Sequence, residues 1–120
     1  GTGACGLYAG AAGAGRLLLT EGGDDAARLL PLLRSNLEDN APLLDGCAAS
    51  VSALHWGCAA AELPAGRFDL VLGSDVAWGD EEAHNALCAT MAELLRRDAP
   101  LVVLAMERGP PLDEAAEHAT

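Results

Sequence analysis

Three groups of residues have types and spacing suited to chemistry. Gly1-Thr2-Gly3 opens the chain as a small, flexible turn. A strand that ends in an acid, Glu21, follows about twenty residues on. Glycines let a ligand approach the backbone, and a carboxylate at that distance suits the hydroxyls of a ribose, so the pair fits an adenosine-containing ligand. Taken singly, Gly-x-Gly reads equally as an ordinary turn and Glu21 as a solvated acid at a strand end. The second group is the run from Phe68 to Trp78, in which the apolar Phe68, Leu70, Val71 and Leu72 lead into Gly73, Ser74 and Asp75. This reads as a buried strand delivering small polar residues and a carboxylate at its C-terminal end, where ligands bind in open α/β sheets. Asp75 can accept hydrogen bonds from an ammonium group and the Trp78 indole can hold a cation. Helix capping by Asp75 and packing by Trp78 explain the same residues without a ligand. The third is Trp56, just past a further strand end. It reads either as a packed aromatic or as an indole edging an adenine.

The elements that position these groups follow from periodicity and breakers. Residues 4–12 suit a helix, stopped by Gly13-Ala14-Gly15. Residues 16–20 form an aliphatic strand ending at Glu21. Gly22-Gly23 makes the turn, and Asp24 caps a helix that runs to about residue 40, kinked or restarted at Pro31. Residues 50–54 form a weak strand and 57–66 a loop with Pro64 and Gly66 as breakers. Asp80 caps the next helix, with Glu81 and Glu82 in its first turn and Arg96 and Arg97 in its last, signs that suit the helix dipole. Ala83, Leu87, Met91, Leu94 and Leu95 give that helix one apolar stripe, flanked by Cys88. Residues 101–105 are another buried strand, and 112–119 begin a final helix. Alternating helices and strands imply one α/β domain over 1–120, with a parallel Rossmann-like sheet and helices on both faces.

Composition narrows the classes. The chain has 120 residues, 51% of them hydrophobic, which suffices for one core. Net charge is −11 and all seven basic residues are arginine, so the clustered cations of a nucleic-acid footprint are lacking. No apolar run reaches membrane-spanning length. Cys5, Cys47, Cys58 and Cys88 are widely spaced, without Cys-x-x-Cys, which argues against a metal site and a disulfide framework. A cytoplasmic location is expected.

Taken in order, Gly1-Thr2-Gly3, Leu19-Thr20-Glu21, Asn36 and Asn40, Leu54-His55-Trp56-Gly57, and Asp69 through Trp78 resemble motifs of the seven-strand, class I S-adenosylmethionine-dependent methyltransferases. The likeness is closest to the group that modifies lysines of chaperones, calmodulin and elongation factors. Glu107-Arg108 after the last strand also fits. The resemblance covers nearly the whole chain. It departs from the family pattern at Glu21, where Asp is usual, and at Trp78, where Tyr is usual. The family's first strand, with the opening Glu-x-Gly-x, and its last two strands have no counterpart, so the chain is expected to be a fragment, truncated at both ends and inactive alone.

The resemblance implies S-adenosylmethionine as cofactor, a protein presenting a lysine as partner, and no metal. It implies that Gly1, Thr2 and Gly3 flank the methionine part of the cofactor and that Glu21 holds the ribose. Trp56 and Ser74 then border the adenine and methionine ends, and Asp75 and Trp78 shape the acceptor channel. Two alternatives stay open on the residues: a nicotinamide-dependent oxidoreductase, which shares the glycine turn and strand-end acid, and a non-catalytic remnant serving as an interaction module.

Overall fold

The computed structural model describes residues 2–57, 68–74, 76, 79–95, 97–98 and the backbone of 102–105. Expectations for Gly1, Cys58, residues 58–67, Asp75, Trp78, Glu107-Arg108 and the helix over 112–119 lie outside the described residues. The elements are α1 (Ala4–Ala11), β1 (Arg16–Glu21), α2 (Ala26–Asp39), a 3-10 turn (Ala41–Leu43), β2 (Ala48–Ala53), β3 (Val71–Ser74), α3 (Glu81–Leu94) and β4 (Val102–Ala105). Their order matches the alternation read from the sequence.

Leu17 and Leu19 point to the same side of β1 because strand side chains alternate. Both are buried, and with Leu33 of α2 they form the main core cluster, against which Leu7 of α1 and Leu30 of α2 also pack. Helices α1 and α2 therefore cover one face of β1. α1 runs antiparallel to the strand. Its Gly3 and Gly6 lie against Leu19, and Gly10 lies against Leu17 and Leu44. At Gly6 and Gly10 a Cβ would collide with those leucines, so small residues let the helix sit close.

The sheet differs from the single one expected. β1 pairs in parallel with β2, in register Arg16↔Ala48 through Glu21↔Ala53. β3 pairs in parallel with β4, Val71↔Val102 through Ser74↔Ala105. Among the described residues the strands form two two-stranded sheets. α1 packs on both β1 and β3, and the Arg16 guanidinium lies over the Phe68 ring, 4.7 Å from its centroid.

Several boundaries move. β2 begins at Ala48, before Ser50, and the third strand includes Gly73 and Ser74 instead of ending before them. Leu70 and Leu72 are 40% and 39% exposed, so that strand is not covered on both faces by the described residues. α2 is one continuous helix through Pro31. Proline at 31 removes the bond to the Ala27 carbonyl, but both residues are exposed, so water can solvate that group. The N-cap of α2 is Asp25 and makes no capping bond; its carboxylate pairs with Arg28 at 3.4 Å instead. In α3, Asp80 caps as expected, accepting the Ala83 N–H at 3.0 Å. Leu87, Met91, Leu94 and Leu95 of its stripe are buried. The helix ends at Leu94, so Arg97 lies beyond its last turn.

Candidate functional site

Parallel pairing brings the C-terminal ends of β1 and β2 side by side. Glu21 stands opposite Ala53, and the next bond of the ladder runs from the Leu54 N–H to the Glu21 carbonyl at 3.0 Å. The chain leaves β1 through Gly22 so close to β2 that a Cβ there would meet the Leu54 carbonyl. Glycine is therefore required at 22 by close backbone approach. The Glu21 carboxylate is half-buried, and its Oε1 lies 3.4 Å from the Gly22 N–H. Trp56, also half-buried, follows Ala53 by three residues.

The N-terminus of α1 arrives at the same end. Gly3 is its N-cap, with φ 82°, a left-handed conformation that disfavours a side chain. A Cβ there would also press on Leu33 and Leu19. No side chain caps α1, so its first-turn N–H groups and the positive end of its dipole face outward from the turn. Thr2, Gly3, Glu21 and Trp56 thus gather at one end of the β1–β2 sheet. A half-buried carboxylate for a diol, uncapped N–H groups for a carboxylate and an indole for an aromatic base fit the groups of an S-adenosyl amino acid. Ser74 is exposed at the C-terminal end of β3, and no contact among the described residues ties it directly to the other four. Gly1, Asp75 and Trp78 lie outside the described residues.

Three side chains to which the sequence assigned no role, Asn36, His55 and Thr90, hold the backbone around these residues, and Asn40 bonds behind the first. Asn36 Nδ2 donates to the Thr2 carbonyl at 2.9 Å, across 34 positions. Asn40 Nδ2 in turn donates to the Asn36 carbonyl at 2.7 Å. The Gly23 N–H donates to His55 Nδ1 at 3.1 Å, across 32 positions. The Gly57 N–H donates to Thr90 Oγ1 at 2.7 Å, across 33 positions. Each fixes one loop of the crevice: the glycine turn, the β1 exit and the β2 exit. The Asn36–Asn40 spacing was visible as a motif; nothing local marked His55 or Thr90 as anchors. A separate groove between α1 and α2, lined by Thr2, Leu7, Tyr8, Asn36, Asn40 and Leu43 among others, includes none of Glu21, Trp56 and Ser74.

Among the described residues no group of three or more His, Cys, Asp or Glu is placed to hold a metal ion. Cys5, Cys47 and Cys88 are free thiols. No described helix is long and apolar enough to cross a membrane.

The described residues form a parallel α/β frame with a glycine turn, an acid and an indole at one strand end. The family model described as lysine methyltransferase matches residues 1–117, and the chain belongs to that family. No curated protein and no solved structure matches the sequence.

Proposed function

We propose that the protein transfers a methyl group from S-adenosylmethionine to the side-chain amine of a lysine on a partner protein, in the cytoplasm. The observation that carries this reading is the meeting of Gly3, Glu21 and Trp56 at one end of the β1–β2 sheet, in a chain of the lysine methyltransferase family. When bound, the cofactor would supply an electrophilic methyl carbon on a sulfonium, open to in-line attack by a neutral amine with the thioether S-adenosylhomocysteine as the leaving group. The residues of the chain contribute alignment. The Thr2-Gly3 backbone and the start of α1 hold the methionine part, together with Gly1. Glu21 accepts from the ribose hydroxyls. Trp56 borders the adenine, and Ser74 the methionine end. Asp75 and Trp78 shape the acceptor channel, where Asp75 draws in the lysine ammonium. That lysine must lose its proton, ordinarily held to a pKa of about 10.4, and desolvation beside apolar and aromatic walls lowers that value.

The free edges of β1 and β3 bear on how much of the chain this requires. Neither edge has a strand partner among the described residues, although α1 packs on both strands. We propose that a further parallel strand joins the two sheets beneath α1, giving the Rossmann-like sheet with helices on both faces, and that the 120-residue chain alone is inactive.

The experiment is methyl transfer by the full-length protein from methyl-labelled S-adenosylmethionine to the proteins of a cell extract. Mass spectrometry should find the label on lysine Nζ. Label confined to other residues would overturn the lysine assignment. Binding of NAD instead of S-adenosylhomocysteine in a thermal-shift comparison would overturn the methyltransferase reading in favour of an oxidoreductase.

A further inference from the structure

Thr90 lies within α3 and is 2% exposed, the buried polar residue among those described. Its neighbours on the buried stripe, Leu87, Met91 and Leu94, are apolar. A valine of the same shape would fill the position as well and would not need a hydrogen bond. A threonine hydroxyl inside a helix commonly bonds the carbonyl one turn back. Here Oγ1 accepts from outside the helix, taking the Gly57 N–H at 2.7 Å. Gly57 has φ 92° and is exposed, so water could serve its N–H equally well. The bond therefore adds little to stability. What it fixes is a place: the β2 exit is pinned to α3 one residue after Trp56.

We infer that Thr90 is a positioning residue that sets the Trp56 indole against the adenine of the cofactor. The inference rests on the methyltransferase reading above. Without the anchor, the turn at Trp56 and Gly57 samples other conformations, and binding must order it again. The cost falls on cofactor affinity while the fold stays intact.

Two variants of the full-length protein separate these effects. Thr90→Val removes the acceptor and keeps the shape. Its melting temperature should hold, while calorimetry with S-adenosylhomocysteine should show binding about three- to ten-fold weaker. Thr90→Ser keeps the acceptor and loses a methyl group. Its melting temperature should fall because a small cavity is left, while affinity should hold. Hydrogen exchange at the Gly57 amide of the ligand-free protein gives a readout that needs no cofactor: faster in Thr90→Val, unchanged in Thr90→Ser. If affinity simply follows melting temperature in both variants, or Gly57 exchange is unaffected in Thr90→Val, Thr90 is a packing residue and the inference fails. If the wild-type protein binds no S-adenosylhomocysteine yet Gly57 exchange responds as described, the anchor stands, the methyltransferase reading falls, and so does the adenine role assigned to Trp56.

Discussion

The two sheets of this molecule are built differently. The β1–β2 pair has α1 and α2 over one face, with Leu17, Leu19 and Leu33 buried beneath them. Its exits carry Glu21 and Trp56, and side chains of α2, α3 and the β2 exit hold the adjoining loops. The β3–β4 pair leaves Leu70 and Leu72 about two-fifths exposed, and no described contact ties Ser74 at its end to Thr2, Gly3, Glu21 or Trp56. Parallel strands are ordinarily covered on both faces, and isolated two-stranded sheets are marginal in water. The first half thus gathers the described residues proposed to hold the cofactor. The second, which leads into Asp75 and Trp78, is the less covered of the two among the described residues. In the proposed function the cofactor residues fall mainly on the first half and the acceptor residues follow the second.

The largest expected effect concerns the junction between the halves. With β1 and β3 unjoined, the 120-residue chain should show no measurable S-adenosylmethionine binding in calorimetry on monodisperse material, whereas the full-length protein should bind. Micromolar affinity in the 120-residue chain would show that the β1–β2 half suffices alone. Next comes the contrast between the two cores. Leu33 is 1% exposed, so Leu33→Ala should cost about 2–5 kcal/mol in urea unfolding. Leu72→Ala in the same chain should cost less than about 1 kcal/mol, because surface substitutions cost little. Equal losses would erase the distinction between the halves. The smallest effect concerns Arg16, whose guanidinium over Phe68 touches both halves. Arg16→Ala should lower stability by about 0.5–1 kcal/mol, the range for an exposed cation–π contact. A larger loss would mean the two sheets are coupled more tightly than these contacts indicate.

The sequence was most legible where local chemistry decides structure. Asp80 with Glu81 and Glu82 marks a helix start because a carboxylate can satisfy the free N–H of Ala83, and it does. Glu21 at a strand end and the parallel pairing were readable from an aliphatic run between glycines and from helix–strand alternation. Legibility failed where a weak local preference met tertiary context. Ala48 and Ala49 have little strand propensity, yet pairing with Arg16 and Leu17 extends β2 over them. Pro31 has a strong breaking tendency, yet α2 passes through it because the orphaned carbonyl is exposed. The anchors at Asn36, His55 and Thr90 were illegible as such, since each acts on backbone more than thirty positions away. No local pattern encodes such a contact.

The proposed hold of the β1 exit on a ribose through Glu21 underlies the rest of the site. It is tested most directly by titrating S-adenosylhomocysteine into the full-length protein and its Glu21→Ala variant by calorimetry. Loss of a charge-assisted hydrogen bond removes about 1.5–3 kcal/mol, so the variant should bind roughly ten- to a hundred-fold more weakly. An unchanged dissociation constant in a stably folded Glu21→Ala protein would contradict the account.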